Sequence, residues 1–335
     1  MNLVTGATGH IGNVLIRHLL AMQKPVRAMI LPGEDTRPLE GLEIEQVEAD
    51  VLDYHSLMKA FHDVDRIYHL AGLISIMPGK DPLVESVNVL GTRNVIHAAR
   101  QSKIHRLIYT SSIHAFKRIP HGITIDEKVP FDPIGAISAY DGSKAQASLE
   151  VLQAIHEGLD AVIACPTGVI GPFDYRESEM GQIILDCLKG KPFFYVDGVY
   201  DFVDVRDVAD GLVRIAENGR TGETYILSGN RVGIKEIAET VQQVAGRHFP
   251  KIKIPFSLAR LASHLTPIYY RLSKSKPRFT PYALETIQSN SMISHEKAKL
   301  ELGYQPRPLR LSLVETIAWF MQQSTFTKIP TLLPL

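Results

Sequence analysis

Tyr140-Asp141-Gly142-Ser143-Lys144 carries the pair of side chains best suited to moving a proton. If Tyr140 opens a helix, Lys144 lies one turn on and on the same face. An ammonium fixed beside a phenol favours the phenolate and lowers the tyrosine pKa from its reference value of about 10. Such a tyrosine can give a proton to a substrate oxygen or take one from it. Ser112 closes an apolar run, where it can hydrogen-bond the same oxygen. A second set is Gly6, Gly9 and Gly12 in Leu3-Val4-Thr5-Gly6-Ala7-Thr8-Gly9-His10-Ile11-Gly12. It sits between a short buried strand and a stretch, Val14 to Met22, with apolar residues at helical spacing. On such a turn one glycine lets the chain reverse, one lets backbone approach a pyrophosphate, and one lets helix and strand pack closely. The unpaired N–H groups of the helix's first turn then face the phosphates. Each pattern also has a plain structural reading, a surface Tyr–Lys pair or a tight turn; their succession along one chain favours chemistry.

The elements that must position these residues alternate. Strands are expected at Val26–Leu31, Leu42–Glu48, Arg66–Gly72, Arg106–Ser112 and Asp160–Cys165, with helices at Tyr54–Phe61, Val87–Gln101 and around Ser143–His156. This alternation predicts an α/β fold, a doubly wound parallel sheet of Rossmann type with helices on both faces. Ligands bind outside the carboxyl ends of such strands. Gly6, Asp50, Ala71-Gly72, Ser111-Ser112 and Pro166-Thr167 all fall at those ends, so they converge on one edge. Residues 1–172 read as the dinucleotide-binding domain, with returns to sheet and helix at about 193–230. Residues 173–323 read as a smaller, mainly helical substrate lobe, and 324–335 as a loosely attached tail. A strand at Phe193–Val196, one at Glu223–Leu227 and a helix at Ile234–Ala245 are expected within these returns and the lobe.

Composition narrows the class. The chain has 335 residues, 36 basic against 36 acidic, which suggests neither nucleic acid nor an anionic membrane as partner. Cys165 and Cys187 make no disulfide framework and fit a reducing, cytoplasmic setting, as buried packing residues. No apolar run is long enough to span a bilayer. The first strand begins at once, which leaves no room for a signal peptide. Histidines 10, 69, 97, 105, 114 and 121 have no metal-ligand spacing, so no metal is expected. Asp204 and Asp207 suit capping of a helix starting near Val205. Phe193, Phe194, Tyr195, Tyr269 and Tyr270 could wall a pocket but read first as core.

Taken together, the motifs resemble the extended short-chain dehydrogenase/reductase family. Thr5 to Gly12 matches its TGxxGxxG turn, Asp50-Val51-Leu52-Asp53 its adenine-side stretch, and Leu70-Ala71-Gly72 the segment after the fourth strand. Asn88 to Asn94 matches NVxGTxN, Tyr140 to Lys144 YxxxK, Pro166 to Pro172 PxxxxGP, and Phe202 to Ala209 FVxVxDVA. The resemblance covers roughly the first 215 residues. It implies hydride transfer to or from NAD(P), with Tyr140 as general acid/base, Lys144 holding the nicotinamide ribose and Ser112 orienting the substrate oxygen. Ser111 is the alternative serine; Ser112 is preferred because Phe116, four residues on, occupies the place of the family's usual tyrosine. Gly6, Thr8, Gly9, His10, Ile11, Arg37, Asp50, Val51, Leu70, Ala71, Gly72, Tyr140, Lys144, Pro166 and Val169 are the implied cofactor contacts.

Within the family, nucleotide-sugar members usually carry an arginine where this chain has Tyr200, and losing it removes a charge-assisted diphosphate contact. Arg176 or Arg206 could substitute. The turn Leu31 to Arg37 and the ending from Lys299-Leu300-Glu301-Leu302-Gly303-Tyr304 to Trp319-Phe320 resemble the dihydroflavonol-reductase-like branch. The expectation is therefore carbonyl/alcohol oxidoreduction on a small molecule. Alternatives are a sugar or nucleotide-sugar epimerase/dehydratase with tightly held NAD, and an NAD(P)-sensing regulator without turnover. Leu31 ends the second strand with neither acid nor arginine; Arg37 could reach a 2′-phosphate, whereas Glu34 or Asp35 would repel it, and the missing acid tips the cofactor toward NADP over NAD. The resemblance also implies a homodimer through the helices at 88–101 and 143–156. The substrate pocket is expected from Ile74–Leu83, Ile113–Ala139 and the segments after 172.

Overall fold

Short runs of buried apolar residues, each followed by a helix with one apolar face, can satisfy both only by stacking in a parallel sheet covered on both sides. The computed structural model describes residues 1–246, 248–273 and 280–323, with side chains omitted over 267–273. The tail and the side chains of Tyr269 and Tyr270 lie outside the described residues. The first half runs β1 (Asn2–Thr5), α1 (His10–Ala21), β2 (Val26–Ile30), β3 (Glu45–Glu48), α2 (Tyr54–Ala60) and β4 (Arg66–His69). It continues through α3 (Pro82–Glu85), α4 (Gly91–Gln101), β5 (Arg106–Thr110), α5 (Ala139–His156) and β6 (Ala161–Pro166). Then come β7 (Gly168–Ile170), α6 (Glu179–Leu188), β8 (Phe193–Tyr195), β9 (Val199–Asp204), α7 (Val205–Asn218) and β10 (Thr224–Leu227). The chain ends with β11 (Asn230–Gly233), α8 (Ile234–Ala245), β12 (Lys251–Lys253), α9 (Phe256–Ser273), α10 (Pro281–Ile287), α11 (Glu296–Leu302) and α12 (Leu309–Gln323).

Seven parallel strands form the main sheet in the order β10-β6-β5-β4-β1-β2-β3. The order reverses between β1 and β4, so the loops leaving these two strands diverge and open a crevice at their carboxyl ends. One face of the sheet is packed by Leu57, Phe61, Val95 and Val151, the other by Leu15, Leu19, Val208 and Leu212. A third core, built from Ile184, Ile237, Ile317, Trp319 and Phe320, belongs to the C-terminal helices and the small sheet β11-β9-β7.

Several boundaries differ from expectation for local reasons. The helix expected from Val87 already starts at Pro82, where the Asp81 carboxylate accepts the Val84 N–H (3.3 Å). Ser86–Leu90 is wound as a π turn, which carries Asn88 buried against the site. β2, β4 and β5 stop earlier than expected, because Leu31, Leu70 and Ser111 already belong to the site-forming loops, whereas β3 starts later, at Glu45, and β6 runs on to Pro166. Asp204 caps α7 as expected, accepting the Arg206 N–H at 2.8 Å.

The glycine turn is fixed by space as well as by conformation. Gly6 has φ +66°, and a Cβ there would lie 2.8 Å from Ala71 N. A Cβ on Gly12 would sit 2.1 Å from Gly6 O, a clash with backbone. Gly12→Ala is therefore expected to lower unfolding free energy by about 2 kcal/mol or more. A urea titration of the two proteins checks it, and equal midpoints would remove the close-packing role of Gly12.

Candidate active site

The first turn of α1 follows Gly9, which offers no side chain to cap it, and no acidic residue stands there. The first intrahelical bond is Asn13 N to Gly9 O (3.0 Å), so the N–H groups of His10, Ile11 and Gly12 precede it. A helix start of this kind, crowded against Gly6, suits an anion and fits the pyrophosphate of a dinucleotide. The His10 side chain does more than the sequence suggests: its Nε2 pairs with Pro172 O (3.0 Å). Asn13 Nδ2 reaches Phe173 O (3.2 Å). Together they tie the segment after β7 to the turn. At the edge of the sheet, Asp50 and Val51 follow β3; Leu52 N bonds Asp50 Oδ1 (2.9 Å) and Asn94 Nδ2 bonds Val51 O (2.9 Å).

Behind the turn runs a buried line of hydrogen bonds. Thr5 Oγ1 accepts the N–H groups of Leu70 (3.1 Å) and Ala71 (3.0 Å) and faces His69 Nδ1 at 2.8 Å. Its single proton must go to Nδ1, so the His69 proton sits on Nε2 and is given to Thr92 Oγ1 (3.0 Å). Thr92 in turn donates to Asn88 O (2.6 Å). Burial, with the charge of Lys144 as a lesser cause, pushes His69 down to about 3, which keeps it neutral. Asn88 Nδ2 donates to Leu73 O (3.0 Å) and Ser143 Oγ (2.9 Å), and Ser143 Oγ to Tyr140 O (2.9 Å). Asn88 and His69 are positioning residues the sequence reading did not single out. The visible signal was a histidine within an apolar strand end.

Tyr140, Ser112 and Lys144 are brought together at the carboxyl ends of β5 and β6, all three buried. Ser112, not Ser111, is the serine whose side chain acts on the Tyr140 phenol, favouring its ionised form. Ser111 Oγ is paired with Ser148 Oγ at 2.6 Å. The expected lowering of the tyrosine pKa by Lys144 is not found. Burial pushes the Tyr140 phenol up to about 12, with the Ser112 side chain acting the other way. Lys144 Nζ instead donates to Thr110 O (2.8 Å) and lies 5.2 Å from the centre of the Tyr109 ring. Burial pushes it down to about 8. Burial is the largest cause for both groups, and for Tyr140 the nearby Asp141 and Glu179 carboxylates push in the same direction. Pro166 ends β6, and Val169 pairs in register with Val203 of β9.

Beside Tyr140 lies a cavity of about 180 Å³, lined by Ile113, His114, Phe116, Arg118, Ile125, Tyr200 and Ile293 among others. Tyr200, in the place of the diphosphate arginine, shares a hydrogen bond with His114 Nε2 (2.8 Å), and their rings stack 5.9 Å apart. His114 also stands edge-on to Tyr140, 6.4 Å between centroids. Tyr282 donates to Asp141 (2.6 Å). The aromatic wall is thus His114, Tyr200 and Phe116, with Tyr282 against His114 (5.9 Å), whereas Phe193 is in the lobe core and Phe194 is exposed. Neither Arg176 nor Arg206 stands at this cavity: Arg206 is held by Asp204 and Glu315. Arg176 donates to Thr8 Oγ1 (2.6 Å) at the phosphate turn and pairs with Glu34.

Arg37, expected to reach a 2′-phosphate, is held by Asp35 instead. Its side chain is 70% exposed and forked onto Asp35 (2.8 and 2.6 Å). The group at the tip of β2 is Glu34, whose carboxylate accepts the Leu31 N–H at 3.3 Å. Both cysteines are buried, and burial pushes both thiols up, so neither is an activated nucleophile. Among the described residues no group of histidine, cysteine and carboxylate ligands could hold a metal.

A seven-stranded parallel sheet with a glycine turn at its switch point and a Ser–Tyr–Lys set one crossover away defines a dinucleotide-dependent α/β enzyme class. Residues 2–228 match the model of the NAD dependent epimerase/dehydratase family, and the chain belongs to that family. Sterol demethylase protein B of Methylococcus capsulatus is 33% identical over 323 residues, 96% of this chain and 98% of that protein. A Synechocystis protein named for dihydroflavonol 4-reductase is 30% identical over 321 residues, 95% of this chain and 93% of its own length. The crystal structure of gox2253 superposes with a TM-score of 0.84 at 33% identity, covering 96% of this chain and 98% of that one. The general kind is thus an NAD-dependent oxidoreductase or epimerase.

The opposing shifts have a measurable consequence. Lys144 keeps its proton to about 10.5 when unfolded but loses it at about 8 when folded. Below pH 8 both states are charged, and burying the charge costs stability in full. Between the two values the unfolded chain binds more protons, so stability rises with pH. Lys144→Met is expected to be more stable than the parent at pH 7, by up to ~3 kcal/mol, with the gap closing toward pH 10. Denaturant titrations at both pH values check this; a gap that widens with pH would reverse the sign argued here.

Proposed function

We propose that this protein oxidises or reduces one alcohol or carbonyl carbon of an apolar small molecule, with Tyr140 moving the proton. The observation that carries this is the buried Ser112–Tyr140 pair beside a cavity whose wall is His114 and Tyr200. A neutral Tyr–His pair in place of an arginine offers no charge-assisted grip on a diphosphate at that position, and Arg118 across the cavity already faces Asp141 (3.9 Å) and Glu285 (3.8 Å), which disfavours a nucleotide sugar. An apolar wall of Ile113, Phe116, Ile125 and Ile293 fits a hydrocarbon skeleton, in keeping with a relative named for sterol demethylation. With its phenol protonated at neutral pH, Tyr140 is the proton donor in reduction, and Ser112 holds the substrate oxygen against it.

Gly6, Thr8, Gly9, His10 and Ile11 are the proposed pyrophosphate contacts. Asp50 and Val51 bound the adenine, and Leu70, Ala71 and Gly72 pass beside the ribose. Pro166 and Val169 back the nicotinamide. Lys144 has ammonium protons beyond the one given to Thr110 O, available for ribose hydroxyls. The bound nicotinamide supplies or accepts the hydride. For the finer choice we favour NAD(H) over the expected NADP(H). Glu34 at the tip of β2 supplies the carboxylate that Leu31 lacks, and Arg37 is spent on Asp35. Residues 1–172 serve the cofactor and 173–323 the substrate in this scheme, in a homodimer joined through the outer faces of α4 and α5.

Tyr140→Phe is expected to lose at least about a hundredfold in turnover while NADH binding, read by nicotinamide fluorescence, stays within about twofold. Retained turnover would remove Tyr140 from the chemistry, and loss of binding in Gly9→Asp serves as the control for the turn. Glu34→Arg is expected to shift preference toward NADPH by about tenfold or more. Unchanged preference would place cofactor selection elsewhere. Ultracentrifugation showing a concentration-independent monomer would sink the dimer.

A further inference from the structure

Helix α9 shows its large apolar residues to solvent. Leu258, Leu261 and Leu265, three and four residues apart, form one narrow stripe and are 58%, 69% and 67% exposed. The other side of the helix is the anchored one, where Ala259 packs with Val196 and Leu284, and Ser263 is buried. A surface helix ordinarily does the reverse. Just before α9, Phe194 and Ile252 are directly paired across β8 and β12, and both are exposed. Covering a leucine of this kind recovers about 1.5–3 kcal/mol.

Along the sequence, the stretch that carries the stripe is equally one-sided in charge. Between Glu239 and Glu285 the sequence has eight lysines and arginines and no aspartate or glutamate, in a chain whose totals are 36 and 36. Arg260, beside the leucine stripe, and Lys253, next to Ile252, are both exposed. Lys253 is paired with Asp197 of the loop after β8, so part of this charge is answered locally. A second copy seated on this face would set cation against cation, which argues against self-association there.

We propose that α9 and the β8–β12 pair dock on the surface of a bilayer rich in anionic phospholipid. The leucines enter the headgroup boundary and the cations face the phosphates. No described helix is long and apolar enough to cross a membrane, and this docking needs none. It stands apart from the reaction, yet its place is apt. Helix α10 packs on α9 and carries Tyr282, the partner of Asp141, and the residues after it line the cavity.

The test is cosedimentation of the whole protein with equimolar phosphatidylcholine–phosphatidylglycerol vesicles and with phosphatidylcholine vesicles alone. Anionic vesicles are expected to bind at least about tenfold more tightly, with salt weakening the difference. L258Q/L261Q/L265Q is expected to lose that binding while NADH still binds, which shows that the fold is kept. K253E/R260E, with the stripe intact, is expected to lose the preference for anionic lipid. Equal or absent binding to both vesicles overturns the proposal, as does a leucine variant that binds like the parent. A change in sedimentation mass in that variant also overturns it, because the stripe would then be an interface between copies.

Discussion

Everything at the site hangs on a neutral histidine. His69 accepts a proton from Thr5 on one side and donates one to Thr92 on the other, so the line from the glycine turn to Asn88 and Ser143 has one direction throughout. A protonated ring would have two donors and would break the Thr5 link; burial, holding it at about 3, excludes that form. Removing any hydroxyl in the line leaves a buried group unpaired, at a cost of about 1–3 kcal/mol. The energy matters less than the geometry. The turn that faces phosphate and the helix that carries Tyr140 and Lys144 are held in register by the same bonds.

Within that frame, burial acts on the two titratable groups in opposite senses and to one end. It raises the phenol and lowers the ammonium, so both are pushed toward their neutral forms. A protonated Tyr140 at neutral pH is a ready acid, and the demanding direction is the one that needs phenolate. Of the side chains around Tyr140, Ser112 is the one that favours the phenolate. Its place at the start of a 3₁₀ turn, where its Oγ also accepts the His114 N–H (3.2 Å), fixes the oxygen's aim.

What could be read in advance was what local sterics decide. The Gly6–Gly12 turn was legible because φ and close approach leave no other residue type room, and α8 ends on Gly246 at φ +60° as a helix stop should. The alternating strands were legible because burial on both faces writes itself as an apolar run. Less legible was whatever depends on how a loop folds back. Glu34 and Arg37 are three residues apart, and only the turn between them decides that Glu34 meets Leu31 N while Arg37 meets Asp35. Nothing in the residues next to His114 points to Tyr200, its partner, which lies 86 residues away in sequence. The π turn at Ser86–Leu90 carries no residue signature at all. Periodicity in α9 could show that one side differs from the other, but not which side is covered.

The exchange of an arginine for Tyr200 reaches further than one lost contact. A guanidinium at that wall, half enclosed by Phe116 and Ile113, would have to be met by an anion in every bound state, and an uncharged ligand would leave it buried and unpaired. Tyr200 and His114 satisfy each other. Burial lowers the His114 pKa, so the pair carries no charge that a ligand must answer. On this side the cavity can therefore take an apolar skeleton, while Arg118 across it is answered by Asp141 (3.9 Å) and Glu285 (3.8 Å). An uncharged wall at Tyr200 discriminates there by shape rather than by charge, and the cavity's charge is confined to the side of Lys117, Arg118 and His121.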